Sequence, residues 1–165
     1  MQWPGFRADG SLALPLDSLG LLPTDSPQRL RLDGQVLERK RELHMTLLGR
    51  DAGDALRTQL GEERIRALFE PLHWRPRGTG RYALVHKAKE QWNGELQAWS
   101  VIEHLQAPAF AEFRHHLAQS SGRALDCGVP HVTLYVAGDP YGIGLPDITA
   151  YQACFVREVA ASELM

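Results

Sequence analysis

The sequence predicts an α+β fold of mostly antiparallel sheets with helices packed outside them. Short segments alternate apolar and polar residues as half-buried strands do, and two longer segments carry apolar residues at helical spacing. Their order is strand, helix, strand, then strand, helix, strand again, which suggests two similar halves. At 165 residues and 44% hydrophobic content, one domain spanning 1–165 is expected.

The first 30 residues hold Pro4, Gly5, Gly10, Pro15, Gly20, Pro23 and Pro27, which excludes a long helix and predicts short extended pieces joined by turns. Gln35–Leu48 contains Glu42-Leu43-His44-Met45-Thr46-Leu47, whose alternation predicts a strand ended by Gly49. Asp51 stands where a helix N-cap would. Leu56, Leu60, Ile65, Leu68, Phe69 and Leu72 then form one stripe, with Gly61 an internal weak spot. Pro76, Gly78 and Gly80 break the chain before a strand at Arg81–Ala88. Asn93-Gly94 has the chemistry of a tight hairpin turn, and Leu96–Leu105 reads as the returning strand. Pro108 suits the first turn of a second helix with Phe110, Phe113 and Leu117 buried and Gly122 as its stop. Val129–Val136 and Tyr151–Val159 supply the last two strands.

Charge narrows the function classes. With 18 Lys and Arg against 20 Asp and Glu, the formal net charge of −2 argues against broad, non-specific binding to long duplex nucleic acid. A nucleotide or one RNA end needs only a local basic patch. Cys127 and Cys154 lack a CxxC spacing, so a reducing, cytoplasmic setting without disulfides is expected. No apolar run is long enough to span a membrane. The leucine-rich stretch Ser11–Pro23 is interrupted by Pro15 and Asp17 and lacks the basic leader and cleavage site of a signal peptide.

The most informative features are two tetrapeptides, His44-Met45-Thr46-Leu47 and His131-Val132-Thr133-Leu134. A random arrangement of the same residues gives about 0.04 such matches per chain, so a pair is far above chance. Side chains alternate along a strand, so each His shares a face with its Thr while the apolar residues enter the core. Splitting a phosphodiester requires a base for the attacking oxygen and an acid for the leaving one, and histidine does either near neutral pH. Hydroxyls on the same face can donate to the non-bridging oxygens, where charge grows in the transition state. One neutral and one protonated histidine predict a bell-shaped pH dependence.

These two motifs, with Val129-Pro130 leading into the second, resemble those of the 2H phosphoesterase superfamily, which includes the 2′-5′ RNA ligase-like proteins and cyclic phosphodiesterases. The resemblance runs from Gln35 to Val159 as an order of elements, with specificity only in the motifs. It implies a bilobed, pseudo-two-fold fold around a central groove, His44 and His131 as the acid–base pair, and Thr46 and Thr133 as phosphate ligands. It implies no metal and no cofactor. Hydrolysis of a cyclic 2′,3′-type or a 2′-5′ phosphodiester by a monomer is then expected, with the proton roles of the histidines unassigned. The competing reading is a non-catalytic nucleotide- or RNA-binding module using the same pocket, although binding alone has no need for two titrating groups.

Other residues carry weaker expectations. Continued alternation from His131 and Thr133 puts Tyr135 on the groove face, as a base or phosphate contact. If the first motif strand reaches back far enough, Lys40 shares the His44 face and attracts phosphate. Arg75, Arg77 and Arg81 surround Trp74 and Tyr82, a mix that can hold a nucleotide but reads better as ordinary loop. Trp92 and Trp99 are expected to pack. His115 and His116 are adjacent rather than a turn apart and do not form a zinc pair.

Overall fold

The computed structural model describes residues 1–16, 21–22 and 25–165. The parts of the leucine-rich stretch at 17–20 and 23–24 lie outside them. The fold is α+β with antiparallel strand pairing throughout. The strands are β1 (Leu12–Pro15), β2 (Arg29–Leu32), β3 (Gln35–Arg39), β4 (His44–Leu48), β5 (Arg77–Gln91), β6 (Gly94–Gln106), β7 (His131–Ala137) and β8 (Phe155–Val159). The helices are α1 (Arg50–Leu60), α2 (Glu62–Phe69), α3 (Pro108–Ser121) and α4 (Ile148–Cys154). β1 pairs with β4, while the other strands form a curled sheet in the order β2-β3-β7-β6-β5-β8.

Local chemistry accounts for most boundaries. The stripe from Leu56 to Phe69 does not run through one helix, because Gly61 takes φ 80° and ψ 151° and ends α1. That conformation is open to glycine and strained for other residues, so the weak spot becomes a break. The cap of α1 is Gly49 rather than Asp51, which falls inside the first turn. Pro108 occupies the first turn of α3, and Gly122 ends it in the left-handed conformation at φ 69°. The β5–β6 hairpin turns on Trp92-Asn93, with Gly94 already paired to Gln91, one residue earlier than Asn93-Gly94 alone suggests. Trp92 at its tip is 97% exposed, which overturns the expectation that it packs. The expected strand Tyr151–Val159 divides into the end of α4 and β8, since Asp147 accepts from the Ala150 amide and caps a helix there. No helix among the described residues is long and apolar enough to cross a membrane.

Two apolar clusters flank the curled sheet. In the larger one, Leu56, Ile65, Phe69, Phe113 and Leu117 of the helices meet Met45, Leu47, Val132 and Leu134 of the motif strands. Trp74 belongs there too, stacked on Phe69 at 4.6 Å and donating its indole N–H to the Phe69 carbonyl. It is therefore a core residue rather than part of a surface cation–aromatic cluster. The smaller cluster gathers Ala83, Val85, Ala98, Ile102, Ile143, Leu145 and Cys154. Ile102 lies across from Thr133, so this cluster supports the face that carries the second motif.

Candidate active site

Both tetrapeptides lie in strands, β4 and β7, which run beside one another. In each, His and Thr are half-buried while the residue after each is buried, as strand alternation requires. The two strands also share an irregularity. Thr46 pairs with Ala13 and Leu48 with Leu12, leaving Leu47 as an extra residue. Thr133 pairs with Ile102 and Tyr135 with Val101, leaving Leu134 as the extra residue. Each motif leucine is thus the inserted residue of a β-bulge immediately after the motif threonine.

The bulges decide where the next side chains go. A bulge interrupts the period of two, so the residue after it falls on the core side instead of the groove side. Leu48 and Tyr135 are both fully buried. The Tyr135 hydroxyl donates to the Pro27 carbonyl at 2.8 Å, and Tyr135 does not line the groove. The expectation of Tyr135 as a substrate contact is corrected on that ground. Lys40 is also displaced from the expected role. The chain bends at 40–43 between β3 and β4, so the motif strand does not extend back to it. Its ammonium reaches the Pro140 carbonyl at 3.4 Å, outside the groove but near enough to His44 to act on its charge.

His44, Thr46, His131 and Thr133 line one groove of about 410 Å³. Its far wall is the loop at 138–147, which contributes Tyr141, Ile143, Gly144, Leu145 and Pro146. Lys89 ties that loop to the hairpin, donating to Asp139 Oδ2 at 2.5 Å and to the Gly142 carbonyl at 2.9 Å. Gly142, at φ 86°, lets the loop pass close to Thr133, where an added Cβ would sit 3.4 Å from the threonine methyl. Tyr141 is 88% exposed at the groove edge, and Lys87 and Arg50 bring exposed cations to the lining.

Arg114, Tyr141 and Lys87 are groove residues that the sequence motifs do not reveal. Although charged, Arg114 is 6% exposed, and its guanidinium reaches the carbonyls of Asp126 at 2.8 Å, Leu47 at 3.2 Å and Pro146 at 3.3 Å. It therefore joins the first motif strand, the loop leading to the second, and the far wall. The clue was its position one turn from Phe110 on the buried stripe of α3, where a charge requires partners. Tyr141 also carried a clue, in a Gly- and Pro-rich run that predicts a loop.

The two histidines are both biased toward the neutral form in the free protein. Burial, the Arg7 and Lys40 cations and His131 push His44 down to about 4, against the opposing pull of Glu42. Burial also lowers His131, against the opposing effect of its hydrogen bond from Nδ1 to the Val129 carbonyl at 2.7 Å. That bond fixes the tautomer and leaves Nε2 as the ring nitrogen available to the groove. A stability effect follows from the sign of these shifts. Between pH 6.5 and about 4 the unfolded chain binds a proton at residue 44 that the folded chain does not, so stability falls as pH drops through that window. The shift corresponds to up to about 3 kcal/mol. Urea unfolding at pH 7 and pH 4.5 is expected to show this loss in the wild type and a smaller loss in His44→Gln.

Among the described residues, no group of three or more His, Cys, Asp or Glu side chains is arranged to hold a metal ion. No family model, curated protein or solved structure matches the chain.

Proposed function

We propose that this protein is a metal-independent phosphodiesterase of the two-histidine kind, acting on a cyclic 2′,3′-type or 2′-5′ phosphodiester of a nucleotide or RNA end. The observation that carries this reading is the convergence of His44, Thr46, His131 and Thr133 on one groove from two strands that bulge at the same motif position. Such a correspondence supports the pseudo-two-fold arrangement of the 2H phosphoesterases. A single phosphate between the strands meets a histidine and a hydroxyl from each side.

In hydrolysis of a cyclic phosphate, one imidazole takes a proton from water as the water oxygen bonds to phosphorus. The bond to one ribose oxygen breaks in line, and the other histidine protonates that oxygen, leaving a phosphomonoester and a free hydroxyl. Thr46 and Thr133 donate to the non-bridging oxygens as their charge grows, and such prepositioned donors are worth about 3 kcal/mol apiece. The remainder of the substrate has Tyr141 as a stacking surface and Lys87 as a counter-charge at the groove edge. The net charge of −2 suits a short substrate held by local cations rather than a long duplex.

The test is turnover of 2′,3′-cyclic nucleotides, ADP-ribose cyclic phosphate and 2′-5′-linked dinucleotides in the presence of EDTA. Release of a phosphomonoester from the cyclic substrates, or cleavage of the 2′-5′ linkage, is the expected result. Inactivity on all three, with nucleotide still bound, would replace this reading with that of a binding module.

A further inference from the structure

His44 and His131 hold equivalent places in their motifs, but their Nδ1 atoms meet different groups. For His131 the partner comes from two residues back, the backbone carbonyl of Val129. Two residues back from His44 is Glu42, and here the side chain faces the ring, with Oε1 3.9 Å from Nδ1. His44 Nδ1 is buried and has no hydrogen-bond partner among the described residues. The same Glu42 oxygen accepts from Arg7 Nη2 at 2.7 Å.

We propose that Glu42 is the positioning residue that stabilises the protonated form of His44, and that Arg7 competes with His44 for its carboxylate. The assignment rests on the two-histidine reading above and adds to it a partner for one of the histidines. A histidine that must carry a proton gains from a carboxylate at Nδ1, because the anion stabilises the imidazolium. That holds whether the ring starts protonated as the acid or becomes protonated as the base.

The charges facing His44 are Arg7 from the N-terminal segment, Lys40 and Glu42 from the β3–β4 connection, and His131 from β7. Glu42 is the anion among them. In the free protein the cations prevail, and Arg7 holds the carboxylate about one ångström beyond hydrogen-bond reach of the ring. A bound phosphodiester adds an anion at the opposite ring nitrogen. The imidazolium is then favoured, its Nδ1–H needs an acceptor, and Glu42 is the group placed to supply it.

Histidine ring titration by NMR separates this from a structural ion pair. His44 signals, identified among the seven histidines by comparison with His44→Gln, are followed in wild type, Arg7→Gln, Glu42→Gln and the Arg7→Gln/Glu42→Gln double variant. Arg7→Gln is expected to raise the His44 pKa by about one unit or more, since it removes a cation and frees the carboxylate. Made in the Glu42→Gln background, the same substitution should give a smaller rise, because only the loss of the cation remains. A rise of the same size with and without Glu42, or no rise, would overturn the proposal. Both Arg7 and Glu42 lie at the surface, and a dispersed amide spectrum verifies the fold of each variant. The titration needs no turnover, so its answer stands even for a protein without phosphodiesterase activity.

Discussion

Replacing His131 with alanine is expected to lower kcat by about 10²–10⁴-fold, with KM changed far less. Two-histidine catalysis needs this ring as one of its two proton-transfer groups, and the Nδ1 contact with the Val129 carbonyl leaves Nε2 for that role. His44→Ala should cost a similar factor, and the double variant should cost less than the product of the two because the pair acts as a unit. The pH profile is part of the same expectation. Both free-protein pKa values lie below 6.5, with His44 at about 4, so the singly protonated form is the majority species only on the acid side. The profile of kcat/KM should therefore peak below pH 6.5 and fall toward alkaline pH. The profile of kcat should shift upward, because bound phosphate favours the protonated histidine. A kcat/KM optimum above pH 8 would mean that other groups carry the protons.

Arg114→Leu is expected to destabilise the fold by about 2–4 kcal/mol, measured by urea unfolding. The substitution strands the carbonyls of Leu47, Asp126 and Pro146, each of which now accepts from the guanidinium. Removing the desolvation cost of the buried cation offsets part of that loss, which keeps the net below the sum of three stranded acceptors. Lysine should not rescue it, because a single ammonium cannot reach three carbonyls set in different directions. Turnover in the surviving folded fraction should fall as well, since the three segments place the two motif strands and the far wall. Displacement of such groups by about 1 Å can cost 10²-fold. A variant that unfolds at the wild-type urea concentration would show that Arg114 holds nothing essential.

The sequence disclosed the class of fold and the motif residues because both depend on local patterning. Alternation at His44–Leu47 and His131–Leu134 locates the strands and puts each His beside its Thr, and the structure gathers all four on one groove. Pro108 and Gly122 mark the ends of α3 as their backbone preferences dictate. What escaped depends on tertiary pairing. A bulge leaves little trace in a single sequence, so extending the alternation put Tyr135 on the wrong face. Lys40 was misplaced by one bend, where β3 and β4 part into different sheets. Arg7 lies far from Glu42 in sequence, and they meet only because β1 pairs with β4 and brings the N-terminal segment alongside. Tyr151 illustrates the limit of pattern alone, since the capping contact of Asp147 turns that stretch into helix before β8 begins.

The most direct measurement is hydrolysis of 2′,3′-cyclic nucleotides in EDTA by the wild type and by His44→Ala/His131→Ala, purified identically. Two-histidine catalysis predicts turnover that resists EDTA in the wild type and is absent from the double variant. Turnover that persists in the double variant would contradict it.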